Sequence, residues 1–199
     1  MGTFWTVTGI FFALALFAGI MQSIGQSSKQ KAQGQALALI PDFIPSVVLN
    51  GMSGGAGVAI DATRNKFAIS NGPNHASVFN YSDLVSVEVL RNGSSVHQTN
   101  RGSQVAGAAV GALLLGPVGL LLGGLTGSKR SSEKINKLSL KIFTTDIVNP
   151  VHEIVFFNGP PSKPDGVLVT MASNELDAWH GRFQTIMRMG NLPQNSALT

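Results

Sequence analysis

Among the side chains able to do chemistry, the four histidines, His75, His97, His152 and His180, come first. None stands in the His-Glu-x-x-His spacing that puts two imidazoles on one helix face around zinc, and no cysteine is present to complete a mixed site. His180, beside Trp179, reads as a helix-surface residue. Ser53 lies in Gly51-Met-Ser-Gly-Gly55, the Gly-x-Ser-x-Gly spacing of a hydrolase nucleophile elbow. That motif requires a strand leading in and a helix leading out, and the flanking pattern supplies neither. "GGAGVAI", from Gly54, lacks the third glycine of a dinucleotide fingerprint and precedes a strand instead of following one. The acidic residues occur singly, with no pair for general acid and base work. Asp61 and Asp83 read as turn residues. No catalytic residue, metal or cofactor is expected, the chain reads as a non-enzyme, and a hydrolase built on Ser53 ranks third among the functional readings.

The glycines carry more information. Between Val105 and Gly127 the chain has no charge, and small residues recur every four positions: Gly107 with Gly111, Ala108 with Ala112 and Gly116, Gly119 with Gly123 and Gly127. On a helix such residues line one face and admit a second backbone at close range, which is how helices associate inside lipid. A water-soluble helix is a poor home for them, since each glycine costs about 1 kcal/mol relative to alanine; a buried core helix is the alternative to a membrane segment. One helix of this length would reach roughly 35 Å, enough to span a bilayer. Gly116-Pro117 falls at its centre, where a helix kinks or ends, so two arms of roughly 16 Å packed through their glycine faces are equally well described.

Behind this segment Lys129, Arg130, Lys134, Lys137 and Lys141 stand against a single acid, Glu133. Beside a membrane such a cluster attracts anionic headgroups at about 1 kcal/mol per cation. The same lysines would equally serve to keep a loop and strand edge solvated, and both readings stay open.

The elements that must position these residues follow from the remaining sequence. The chain has 199 residues, enough for one domain with extras. Only 12% of residues are charged, 23 are glycine and the mean hydropathy is positive, a composition that points to membrane-embedded segments. Net charge is +4, and the 11 Phe, 2 Trp and 1 Tyr lie mostly in apolar runs away from basic clusters, so nucleic-acid binding is not expected. Phe4 to Ile24 is an uninterrupted apolar run of transmembrane length, and the first positive charges, Lys29 and Lys31, follow it. The positive-inside rule then places the N-terminus outside and the rest in the cytoplasm of a bacterial inner membrane. Residues 1–25 read as the anchor, 26–56 as a polar linker and irregular lead-in, and 191–199 as a disordered tail.

The fold is expected to begin near Gly57. "GVAID" and "KFAIS" around the turn "ATRN" form a hairpin, a third short strand follows, and Val85, Val87 and Val89 share one face of a fourth. After the insert, "KLSLKIF", "HEIVFF" and "GVLVTM" read as three more strands. Ser173 or Asn174 then caps a helix whose Leu176, Trp179, Phe183, Ile186 and Met187 fall on one face, with Arg188 in its last turn and Gly190 as its stop. Neither half could bury a core alone, so the halves must meet, and this favours a hairpin insert that returns to the side it left.

About seven antiparallel strands closed by a C-terminal helix, an all-β domain with one helix, resemble the pleckstrin-homology-like fold. "NYSDLVSVEVLRNG" is similar to the "YSDI-SVE" strand of bacterial pleckstrin-homology-like proteins, and the Gly-rich stretch to an insert in membrane-associated members of that group. The resemblance covers about Gly57 to Gly190, interrupted by 105–127. It implies a binding or scaffold domain in an envelope or phage-related setting. Its expected partners are membrane lipids, an unidentified protein, and further copies of the chain through Gly107, Gly111, Gly116, Pro117, Gly119, Gly123 and Gly127. A glycine-zipper pore or toxin-like effector is the competing function.

Overall fold

The computed structural model describes residues 37, 40–52, 55–71, 75–101 and 134–191. The anchor Phe4–Ile24, Ser53, the glycine-spaced segment with Lys129 and Arg130, and the tail beyond Asn191 lie outside the described residues. Among the described residues no helix is long and apolar enough to cross a membrane.

Two four-stranded antiparallel sheets make up the body. The first runs β1 (Val47–Leu49), β2 (Gly57–Asp61), β3 (Lys66–Ser70), β4 (Ala76–Asn80) in that spatial order. Its centre is the β2–β3 hairpin, in which Val58 faces Ile69 and Ile60 faces Phe67 on the core side. The two-residue period sends Ala59 and Ala68 to the other face, where Leu37 and Phe43 cover them in a second, smaller apolar cluster. Both faces of β2 are therefore buried. The chain upstream of Gly57 belongs to the fold through β1, Leu37 and Phe43, so the ordered domain begins earlier than the sequence pattern indicates.

A single 3-10 turn, Tyr81–Asp83, passes the chain to the second sheet, whose order is β6-β5-β7-β8. These are β5 (Leu84–Arg91), β6 (Ser94–Asn100), β7 (Ile135–Thr144) and β8 (Val151–Ser162). Asn92 and Gly93, with φ of 52° and 82°, form the two-residue turn between β5 and β6. Positive φ at both positions gives the mirror-image turn whose twist matches the flanking strands, which is why Asn-Gly suits the site. Leu138, Leu140 and Ile142 of β7 are wholly buried, as their alternation requires. Val87 and Val89 of β5 are too, but Val85 is not their companion. The β5–β7 register slips between Leu84 and Ser86, a bulge that turns Val85 outward and seats Leu84 in the core.

The last element, α1, spans Val167–Gly190 and packs on β5, β7 and β8. Phe183 also meets Phe67 of the first sheet edge-on at 5.9 Å between ring centroids, so the helix closes the space between the sheets. Leu176, Trp179, Phe183, Ile186 and Met187 all face the core, as read from their spacing. The helix starts earlier than its caps suggest: Gly166 is the N-cap, and Ser173 is buried seven residues on. "GVLVTM" is consequently the opening of α1 and not a strand. Six described strands precede the insert and two follow it, against an expectation of four and three.

Candidate functional site

The two ends of the insert are the best-defined polar features of the described structure. At the first, β6 ends with Asn100 opposite Ser86, and Arg101 turns back onto the backbone. Its Nε donates to the Leu84 carbonyl at 2.8 Å and its Nη2 to the Tyr81 carbonyl at 2.6 Å. A planar guanidinium presents its donors in a fixed fork that meets two carbonyls at once, whereas an ammonium on a flexible stem is not preorganised to do so. Tyr81 is itself fixed, because its N–H donates to the Asn65 carbonyl of the β2–β3 turn at 2.9 Å.

At the second end the chain returns at Lys134, beside the β5–β6 turn. Asn92 Nδ2 donates to the Lys134 carbonyl at 2.8 Å, while Asn92 Oδ1 accepts from the N–H groups of Asn136 and Lys137 at 2.9 and 3.3 Å. One amide thus closes a tight turn and fastens the incoming strand. Because β6 and β7 both run antiparallel to β5, they are parallel to each other with β5 between them. The insert leaves at the Leu84 end of β5 and returns at the Arg91 end. Eight residues at about 3.3 Å each separate the two stems by roughly 25 Å along the strand.

Of the five cations singled out in the sequence, Lys134 lies at this second stem. Lys137 and Lys141 share one face of β7 by strand alternation, and both act on Glu153 of β8. Lys137 Nζ lies 2.7 Å from Glu153 Oε1, and Ser139 Oγ donates to the same oxygen at 2.6 Å. Burial alone would raise the Glu153 carboxyl, but the bonds from Lys137 and Ser139 and the charges of Lys137 and Lys141 hold it below its ordinary value. The acid that offsets these lysines comes from the neighbouring strand β8, beyond the β7–β8 turn, so the stretch from Lys129 to Lys141, with Glu133 alone, does not reveal it.

Sequence spacing also conceals a polar cluster between β6 and α1. His180 is 1% exposed, so it is a core residue and not a surface one. Its Nε2 lies 3.3 Å from Thr99 Oγ1, which lies 3.2 Å from His97 Nε2 and accepts from Gln184 Nε2 at 3.4 Å. The two imidazoles meet edge to face at 5.2 Å. Burial, with the charge of His97 behind it, pushes His180 down to about 4, and burial lowers His97 as well. Both rings are therefore neutral at pH 7, and one hydroxyl serves as their common partner. The only sequence signal was position: His180 falls one residue after Trp179 on the apolar face.

His152 is buried in β8, against Phe79 and 3.4 Å from Asn71 Nδ2, and shares no cluster with the other histidines. Among the described residues no group of three or more His, Asp or Glu side chains could hold a metal ion.

Asp61 does more than shape a turn. It is wholly buried, and its carboxylate accepts from the N–H groups of Ile44 at 2.8 Å, Thr63 at 3.0 Å and Arg64 at 3.1 Å, with Arg64 Nη1 at 3.2 Å. It ties the lead-in chain to the first sheet.

Two antiparallel sheets closed by a C-terminal helix, joined at a Tyr-Ser-Asp turn and interrupted between β6 and β7, define a pleckstrin-homology-like module with a long insert. The family described as glycine zipper containing PH domain matches residues 47–158, and the chain belongs to it. Two curated relatives from the same phage lineage are similar over 119 residues at 25% identity. One is an immunity protein of Bacillus phage SPbeta, with 56% of this chain and 57% of that protein aligned. The other is the SPbeta prophage-derived uncharacterized membrane protein YomJ of Bacillus subtilis (strain 168), with 56% and 51% aligned. The chain thus spans about half the length of the curated relatives it matches. No solved structure matches it.

Proposed function

We propose that the protein is a membrane-anchored scaffold: a pleckstrin-homology-like domain on the cytoplasmic side of a bacterial inner membrane, engaging a lipid or protein partner in a phage-related setting. The segment Phe4–Ile24 would anchor it, and 105–127 would dip into the same bilayer and return. The observation that carries this reading is the pairing of β5. It bonds on one side to β6, which precedes the insert, and on the other to β7, which follows it. Strands on opposite sides of a bilayer could not share one sheet, so a single span through the insert is disfavoured. The names of the relatives, one a membrane protein and one an immunity protein, support the location and the setting.

The absence of cysteine makes the test direct. Ser94→Cys, in β6, and Ser162→Cys, at the end of β8, are exposed in turn to a membrane-impermeant maleimide in intact and in lysed cells. Protection of both until lysis is expected. Opposite labelling of the two would overturn the reading.

The four-residue spacing of small residues favours one competitor, a pore assembled from glycine-zipper segments of several chains. Under that reading overexpression permeabilises cells, and Gly111→Leu or Gly123→Leu abolishes the effect. A scaffold gives no toxicity for those substitutions to remove.

A further inference from the structure

Six large apolar side chains among the described residues are 60% or more exposed, and five of them fall into two clusters. Ile147 and Val148, at 95% and 83%, form the first; Val167, Leu168 and Met171, at 75%, 70% and 65%, form the second. Each cluster stands beside one stem of the insert.

The first is held out on a rigid turn between β7 and β8. Asp146 Oδ1 accepts from the N–H groups of Val148 at 2.8 Å and Asn149 at 3.2 Å, and Thr144 N–H donates to the Pro150 carbonyl at 2.8 Å. The turn is pinned to the β4–β5 junction, because Thr145 N–H donates to the Asp83 carbonyl at 2.9 Å. Leu84 pairs with Thr144 and takes the Arg101 guanidinium on its carbonyl, so this tip and the departing stem share one end of the sheet. The second cluster opens α1. Ser162 pairs with Ile135, the residue after Lys134, and a turn closed by Gly166 N–H on the Lys163 carbonyl at 3.0 Å starts the helix there. Val167, Leu168 and Met171 lie at i, i+1 and i+4 on the outer side, with Val169 and Ala172 facing the core.

We propose that these two clusters are the domain's contacts with the bilayer, entering the headgroup region on either side of the insert while β5 lies along the membrane plane. The inference rests on the insert being in that bilayer. Thirty-two residues between Arg101 and Lys134, uncharged from Val105 to Gly127, begin at one cluster and end at the other. Stems roughly 25 Å apart can both approach one bilayer only when the strand joining them lies nearly flat to it. Two or three apolar side chains at each end are too small a patch for a stable protein interface, which takes about 800 Å² per partner. They suit an interface that is apolar wherever it is touched. Exposed Lys134 and Lys163 against one exposed acid, Asp165, leave the surroundings of the second cluster with a cationic excess that suits anionic headgroups.

The test uses the full chain reconstituted in vesicles of phosphatidylcholine and phosphatidylglycerol. An environment-sensitive fluorophore is attached in turn to Ile147→Cys, Leu168→Cys, Ala112→Cys within the insert, and Val78→Cys on the outer face of the first sheet. The expected result is a blue shift and quenching by nitroxide-bearing lipid at 147, 168 and 112, with water-like emission at 78. Water-like emission at 147 or at 168 while 112 is in lipid overturns the inference and leaves the membrane insert standing. Lipid contact at 147 and 168 with 112 in water supports the two contacts and removes the insert from the bilayer. Water-like emission at 147, 168 and 112 overturns both.

Discussion

Arg101 and Asn92 hold the polypeptide at opposite ends of β5, one where the insert departs and the other where it returns. Arg101 crosses to two carbonyls 17 and 20 residues earlier, and Asn92 reaches 42 to 45 residues forward. A sheet interrupted by a long segment must keep its register without a short connection between neighbours, and side-chain bonds to backbone at the two stems provide this. The pleckstrin-homology-like body can then remain one unit whatever the insert does.

Arg101→Ala is expected to remove two charge-assisted bonds and lower stability by about 1.5–3 kcal/mol. Arg101→Lys should recover less than half of this loss, because the bonds to the Leu84 and Tyr81 carbonyls leave from two separate nitrogens of a rigid fork that a single flexible ammonium does not reproduce. Urea midpoints of the three proteins measure it; a lysine variant equal to the parent would show that charge alone holds the stem.

Two glycines of α1 should respond in opposite senses to the same substitution. A Cβ on Gly190 would lie 2.5 Å from the Tyr81 carbonyl oxygen, a contact that must push the helix end off the Tyr-Ser-Asp turn. Gly190→Ala is therefore expected to cost about 1–3 kcal/mol. A Cβ on Gly181 meets nothing within 4 Å, and Gly181→Ala should stabilise the helix by roughly 0.5–1 kcal/mol. Thermal melts of both variants decide the pair.

Much of the fold is legible because its strands alternate. β2 and β3 were bounded by Gly57, Asp61, Lys66 and Ser70 from the pattern alone, and the buried face of α1 followed from helical spacing. β6, "SSVHQTN", escaped because an edge strand with a polar sequence carries no period-two signal. "GVLVTM" is β-branched yet helical: Val169, Ala172 and Leu176 continue the apolar face of α1, and packing overrides propensity. Pro160 and Pro161 read as a loop, but β8 is an edge strand whose register with β7 slips by two residues between Asn158 and Ser162, which spares prolines the ladder bonds they cannot make. The stems were invisible for a different reason. Arg101 and Asn92 act across 17 to 45 residues, and nothing in local spacing records such a partner.

Asp61 sets an acid limit. Burial would raise its carboxyl, but the bonds from Ile44 and Arg64 and the Arg64 charge outweigh it and hold the folded value below the ordinary 3.8. The folded state therefore favours the carboxylate, and its contribution is complete above pH 3.8 and lost as pH falls below that through the folded value. Asp61→Asn should lose stability at pH 7 and flatten the decline below pH 4. Urea titrations at successive pH values check this, and parallel curves for parent and variant would remove Asp61 as the cause.

His180 acts in a higher window with the same sign. Its folded value of about 4 lies below the 6.5 of a free imidazole, so the unfolded chain binds a proton that the folded chain refuses. Stability attributable to the neutral ring is whole above pH 6.5, declines as pH falls from 6.5 to about 4, and changes no further below that. A shift of this size corresponds to at most roughly 3 kcal/mol. The proton is refused because the ring is buried, and a charge there would stand 5.2 Å from the His97 ring. His180→Gln is expected to keep a bond to Thr99 and make the decline between pH 6.5 and 4 shallower, the remainder belonging to His97 and His152, which burial also lowers, and to leave the Asp61 window below it unchanged. The measurement is the imidazole carbon-bound proton resonance of His180 against pH: a midpoint near 4 agrees, and a midpoint at 6.5 would mean that the ring reaches water in the folded protein.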